Sequence, residues 1–391
     1  MTRRGAALSL SFYYTALFTA VGIQLPFWPL WLKDRGLTPS EIGLIIAAIY
    51  ITKVLVNPLA GHVVDRRGDR KRPMVLLAAL AAAGWLLFAV SGAFWAVLTL
   101  SVLVTGCWSA VMPVGESLAL TTAQRHKLDY GRVRLWGSAS FILAATATGQ
   151  FLTGNPSSHL VWLVSGALAL TALSCATLPD VRITPKEGQQ PARLRPLLTA
   201  TCFLLFLATT SLNQASHTVY YGFSAIHWKE SGLDGGIIGL LWSGGVLAEI
   251  VLFAFSGAVV SRLGPVRLLI LAGLAGVLRW SVLGVSTALP ALMLAQLLHA
   301  ATFGCGHLGA MHFLLRAVPP TLSARAQGIF AGIASGAAPG LTSLAAGRLY
   351  DELSGGAFLV MAVLSLLSTL AAWALLRRWS GGLLQEQSQT G

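Results

Sequence analysis

Charge is what this chain has least of. Only 10% of its 391 residues are Asp, Glu, Lys or Arg, and acids are rarer than bases, 14 against 27. Soluble domains carry about 25% charged residues, so this composition excludes a water-facing globule. Cysteine is scarce as well. Cys107, Cys175, Cys202 and Cys305 fall in apolar runs without ligand-like spacing, which leaves them as small packing side chains rather than a disulfide framework or a metal site. No Walker loop, metal-ligand cluster or nucleophile–base spacing rises above chance. The chain is therefore not expected to be an enzyme, and no metal or cofactor is implied.

Apolar residues fill the space instead. The sequence is 55% hydrophobic with a mean hydropathy of +0.71. Twelve apolar runs of about 20 residues each are long enough to cross a bilayer. An all-α integral membrane protein with twelve transmembrane helices follows. The net charge of +13 does not gather on one soluble face, so no nucleic acid partner is expected. It follows the membrane. With the N-terminus inside, both termini and the inner loops hold Arg3, Arg4, Arg66, Arg67, Arg70, Lys71, Arg72, Arg125, Lys127, Arg132, Arg182, Lys186, Arg193, Arg195, Arg262, Arg267, Arg316, Arg325, Arg377 and Arg378. The outer loops hold only Lys33, Arg35, Lys229 and Arg348. This asymmetry fixes an even span count with both ends in the cytoplasm, and the chain is expected in the cytoplasmic (inner) membrane. The first run is too long for a signal-peptide core and ends on Pro26 and Pro29 rather than a small-residue cleavage site, so it reads as a retained helix.

The chain is also duplicated. The polar, proline-rich stretch from Pro179 to Pro196 divides it into residues 1–178, a cytoplasmic linker over 179–195, and residues 196–391. A shift of 196 positions carries Ile42-Gly43-Leu44 onto Ile238-Gly239-Leu240 and the Gly61 to Gly68 segment onto Gly257 to Gly264 without a gap. A parallel repeat of two six-helix bundles marks a transporter whose substrate sits near the midplane. The same shift carries Lys53 onto Glu249.

The segment Gly61-His62-Val63-Val64-Asp65-Arg66-Arg67-Gly68-Asp69-Arg70-Lys71-Arg72 resembles the loop between helices two and three of the major facilitator superfamily, departing from it at Asp69. Glycine permits close approach there, and Gly61, Asp65, Arg66, Gly68 and Arg70 can act as a conformational latch. Topology-setting charge alone is the other reading. Leu25 to Leu32, Tyr130 to Gly137 and Gly347 to Glu352 resemble segments of the lactose permease group. Asp129 to Ser138, Tyr220 to Ile226 and the Leu298 to Leu308 region are more similar still to the phenylpropionate permease family. That resemblance implies the major facilitator fold and aromatic monocarboxylate substrates. From lactose permease it implies substrate contacts at Glu116 and Arg134, a ring-stacking place at Phe141, and an arginine–histidine pair at Arg279 and His299. Gln296 and Thr302 stand where that permease has a lysine and its proton-carrying glutamate, so its proton mechanism cannot be copied across.

Within the spans, Lys53, Arg134 and Arg279 face only two carboxylates, Glu116 and Glu249. One cation is in excess. A lone ammonium at the bilayer centre is disfavoured by about 3 kcal/mol, and an anionic substrate would complete it. Each charge also has a plainer reading: Glu116 as a structural mate of Arg134, Arg279 as an organiser of its helices, His299 as an interior hydrogen-bonding residue, and Lys53 as a snorkelling side chain. Trp28, Trp136, Tyr220 and Tyr221 serve equally as packing, belt or cavity residues. The leading expectation is proton-coupled uptake of a small organic anion such as 3-phenylpropionate by alternating access, with Lys53 on its carboxylate and Glu249 or Glu116 carrying the proton. The alternative is a proton-coupled symporter of a neutral sugar or nucleoside. The chain is expected to work as a monomer in the lipid bilayer.

Overall fold

The computed structural model describes residues 2–180 and 194–384, without the side chains of Asp65, Arg67 and Ala324. Most of the expected linker lies outside the described residues. Every regular element among them is helical. Nine of these helical stretches are long and apolar enough to cross a membrane.

The chain forms two compact units, Met1–Gly188 with Trp228–Ser243, and Gln189–His227 with Gly244–Gly391. The first contains α1 (Arg3–Asp34), α2 (Pro39–Arg67), α3 (Lys71–Leu86), α4 (Phe94–Trp108), α5 (Val111–Arg125), α6 (Tyr130–Thr153) and α7 (His159–Thr177). The second contains α8 (Arg195–Thr199), α9 (Thr201–Ala215), most of α10 (Thr218–Glu230), the latter part of α11 (Gly235–Ala254), α12 (Ser256–Leu263) and α13 (Pro265–Val285). It continues through α14 (Leu289–Leu297), α15 (Gly306–Ala317), α16 (Ser323–Gly332), α17 (Ala338–Leu353) and α18 (Ala357–Arg378).

Local sequence explains where these helices start and stop. The 32 residues of α1 span about 48 Å at 1.5 Å per residue, and Pro26 and Pro29 lie inside it unbroken. Thr38 and Glu41 close a reciprocal capping box at the start of α2, each satisfying a backbone N–H of the other. Gly68 ends α2 at φ 67°, a left-handed conformation that costs glycine nothing. Its repeat mate Gly264 stands at φ 73° before α13. The two share a positive φ but not a conformation, since ψ is -1° at Gly68 and 168° at Gly264.

Asp69, the departure from the superfamily loop, has a local use. Its carboxylate accepts the Arg72 backbone N–H at 3.3 Å and lies 3.7 Å from the Arg72 guanidinium, which suits the positive N-terminal end of α3. Arg66 is exposed and Arg70 is buried. The Asp65 side chain, a member of the expected latch, lies outside the described residues.

In the first unit, Tyr13, Tyr14 and Leu17 of α1 pack against Met74, Val111, Leu118 and Cys175. Farther along α1, Trp28 stacks on Trp31 at 4.8 Å and meets Trp85 edge-on, so Trp28 is a packing residue. In the second unit, Phe206 stacks on Phe313 at 4.5 Å. The indole N–H of Trp280 donates to the hydroxyls of Ser216 and Ser365 at 3.2 and 3.0 Å, tying α13 to α18 and to the turn after α9. Cys175, Cys202 and Cys305 are buried free thiols.

One seam within the first unit is exceptionally close. A Cβ on Gly149 of α6 would run into the Gly235 carbonyl, and one on Gly239 into the Ala145 carbonyl. Thr153 accepts the Gly236 backbone N–H at 3.0 Å, and the hydroxyls of Thr146 and Ser243 are 2.9 Å apart. Small residues let α6 lie backbone to backbone on the start of α11, the usual device where lipid offers no hydrophobic drive.

Candidate functional site

In the first unit the polar centre is built on α1, α5 and α6. The Tyr14 hydroxyl donates to the Glu116 carboxylate at 2.8 Å, and the Tyr130 hydroxyl is 3.5 Å from it. Arg134 does not bond to Glu116. Its guanidinium lies over the Phe18 ring at 4.0 Å and the Tyr14 ring at 5.3 Å, in space that a side chain on Gly137 would fill. Tyr14 therefore mediates between acid and base, offering its hydroxyl to one and its ring face to the other. The direct Glu116–Arg134 mating considered from sequence is replaced by this three-part arrangement. Phe141, two turns beyond Arg134, is only 5% exposed, and its carbonyl would be 2.7 Å from a Cβ on Gly22. It is the Phe141 backbone, not its ring, that lies against α1 there.

Lys53 projects from α2 as an exposed side chain. The ring of Tyr50, one turn earlier, is 5.4 Å from its ammonium. Its neighbour Thr52 is buried and faces Gly106 of α4, which turns Lys53 away from that packed interface. Among the described residues no carboxylate lies within ion-pair distance of Lys53 or of Arg134.

In the second unit Arg279 of α13 is completely buried. It donates to His299 Nδ1 at 2.9 Å, to the Thr302 hydroxyl at 2.9 Å and to Gln296 Oε1 at 3.3 Å. Its guanidinium lies over the rings of Tyr220 and Trp280, at 4.4 and 4.7 Å from their centres, on two adjoining sides, the ring centres being 5.9 Å apart. Tyr220 in turn donates to Gln296 at 2.8 Å. Gln296 and Thr302 thus supply neutral oxygens where lactose permease carries charges, and no carboxylate among the described residues is within ion-pair distance of Arg279.

The contact with Arg279 fixes the state of His299. A guanidinium only donates, so Nδ1 must accept and the ring proton sits on Nε2. Nε2 lies 3.6 Å from the Glu249 carboxylate, ion-pair range but longer than a formed hydrogen bond. A second proton on His299 would have to displace Arg279. The result is a chain of contacts from Arg279 through His299 to Glu249.

Sequence reasoning named every charged member of these two centres. It missed Tyr14, Phe18 and Tyr130, and assigned Gln296 and Thr302 no contact of their own. The available signal was the i, i+4 spacing of Tyr14 and Phe18, which puts both rings on one face of α1.

Residues 7–362 match the MFS_1-like family model. The chain belongs to that family, and is a transporter of the major facilitator superfamily. This MFS transporter is 35% identical over 365 residues to a protein of Escherichia coli (strain K12) described as a probable 3-phenylpropionic acid transporter, covering 91% of this chain and 94% of the relative. It is 26% identical to the maltose permease of Geobacillus stearothermophilus, over 94% of this chain and 93% of the permease. Its fold is similar to that of a point mutant of the nucleoside transporter NupG, with a TM-score of 0.84 at 15% identity over 95% of this chain and 99% of the other. The expected major facilitator fold and the nearness to the phenylpropionate permease are both borne out.

Proposed function

We propose that this MFS transporter takes up a small organic anion, an aromatic monocarboxylate such as 3-phenylpropionate, together with protons by alternating access. The observation that carries the reading is that none of its three cations within the helices, Lys53, Arg134 and Arg279, has a carboxylate partner among the described residues. A cation left this way in a membrane protein is stabilised by an anion it binds. The description of the Escherichia coli relative supports the same substrate class.

Lys53 receives the carboxylate, because it has no ion pair among the described residues, while Arg279 is sealed and already bonded to His299, Thr302 and Gln296. Arg134, half-buried on two aromatic faces, is the second cation within its unit. Arg279 positions His299, and Glu249 carries the proton, with Glu116 as the other candidate. The chain crosses the cytoplasmic membrane twelve times: α6 and the α9–α10 pair add to the nine apolar stretches, and Arg325–Arg378, at 54 residues, holds two crossings. Both termini face the cytoplasm, and the protein acts as a monomer. Gly61, Asp65, Arg66, Gly68 and Arg70 form the latch that sets the balance of states, so Asp65→Asn should change rate without changing preference among carboxylates.

Uptake of labelled 3-phenylpropionate into proteoliposomes, with and without an imposed pH gradient, tests the reading. Accumulation driven by the gradient is expected. Accumulation of maltose or a nucleoside instead would favour the neutral-substrate alternative, which the similarities to the maltose permease and the nucleoside transporter keep in view.

A further inference from the structure

A cavity of about 220 Å³ in the second unit lies among α9, α15 and α16, apart from the Arg279 cage. Phe303 and Phe330 line it, and beside them stand Asn213, Gln214, His307 and Ser335. Both phenylalanines are partly exposed, so ring faces are available. A dry cavity of about 150 Å³ is enough to hold benzene. This one has room for a ring with a substituent.

Polar groups share the lining with the rings. The Gln214 amide and the Ser335 hydroxyl make no hydrogen bond to the protein among the described residues. Asn213, 6% exposed, gives an N–H to the Thr302 carbonyl at 3.2 Å, while its Oδ1 has no partner. Buried polar groups are ordinarily paired; Asn213 Oδ1 is a buried one that is not, and Gln214 and Ser335 are half-buried beside it. The backbone is shaped around the same place. Two π-helical turns, Ala300–Cys305 and Ile333–Ala337, contribute Phe303 and Ser335 respectively, and widened turns of this kind recur at functional sites. Phe303 also stacks on His299 at 5.4 Å with planes 11° apart, so the cavity wall is one ring away from the proton-carrying chain.

We infer that this cavity holds the substrate's aromatic ring and selects rings bearing hydroxyl groups. Phe303 and Phe330 supply the faces; Gln214, Ser335 and Asn213 supply the hydrogen-bond partners that an unsubstituted ring would leave unmade. The inference rests on the aromatic carboxylate reading and narrows it to ring-hydroxylated aromatic acids. A site built to bond a hydroxyl discriminates strongly against the analogue that lacks it.

The test is competition for uptake between 3-phenylpropionate and 3-(dihydroxyphenyl)propionate, in the wild type and in Gln214→Leu, Ser335→Ala and their double variant, each checked for folding by size exclusion in detergent. The wild type should prefer the hydroxylated acid by about tenfold, and the double variant should lose that preference while still taking up 3-phenylpropionate. Either single variant, if the double fails to fold, should lose part of it. A wild type that takes up 3-phenylpropionate with no preference, or a preference untouched in the folded variants, overturns the inference and leaves the carboxylate reading standing. Uptake of neither acid overturns both.

Discussion

Lys53 is the residue on which the account turns. An ammonium without a carboxylate partner inside a helix of this kind needs water or an anion. Lys53→Met should abolish saturable binding of 3-phenylpropionate while leaving a folded protein, and Lys53→Arg should keep part of it; unchanged affinity in the methionine variant would make Lys53 a prop for α2. Tyr14 makes a separate forecast. Tyr14→Phe removes the donor to a half-buried Glu116, so a loss of about 1 kcal/mol in stability is expected, read as a lowered thermal midpoint. No change in midpoint would mean that water replaces the phenol at no cost. The proton is assigned by exclusion: if Glu249→Gln and Glu116→Gln both keep gradient-driven accumulation, His299 or the substrate's own proton takes its place. The charged residues were legible in the sequence because a charge in an apolar run has no innocuous context. Tyr14 and Phe18 were not, since aromatics in a membrane helix stand out from nothing around them.

At the scale of elements, the twelve apolar runs expected from the sequence meet nine apolar helical stretches among the described residues, and two stretches that carry polar groups are not among the nine. The stretch containing α6 holds Arg134 and Gln150, and the α9–α10 pair holds Asn213, Gln214 and His217; neither ranks among the nine apolar stretches. The seam between α6 and α11 was legible only as scattered glycines. Which glycines meet is decided by rotation of two helices that no sequence pattern specifies. Gly149→Leu would force α6 off the Gly235 carbonyl, and a loss of about 1–3 kcal/mol is expected for overpacking at such a contact. A thermal midpoint equal to that of the wild type would show that the seam opens without cost. The π-helical turns flanking the cavity were invisible for a similar reason, because an i to i+5 turn has no signature of its own.

Across the whole molecule the repeat extends further than the matching motifs suggest. The shift that carries Lys53 onto Glu249 also carries Lys33-Asp34 onto Lys229-Glu230, and the four side chains pair reciprocally: Lys33 with Glu230 at 3.2 Å, Lys229 with Asp34 at 3.5 Å. Two lysine–carboxylate exchanges related by the repeat, one to Glu230 and one to Asp34, make a charged clasp between the ends of α1 and α10. Exposed pairs of this kind contribute about 0–1 kcal/mol each. Lys33→Glu should therefore change the uptake rate by up to about fivefold, and Lys33→Glu with Glu230→Lys should restore it; a rate indifferent to the single reversal would make the clasp inert. The repeat was readable from motifs, but the asymmetry imposed on it, a lysine at one position and a carboxylate at its mate, gains its meaning only from the contacts each makes. The most direct measurement is the affinity of the purified protein for 3-phenylpropionate against its uncharged isostere, 3-phenylpropanamide. Recognition by unpaired cations predicts binding of the acid at least about tenfold tighter, with the difference lost in Lys53→Met; equal affinity for acid and amide in the wild type would contradict it.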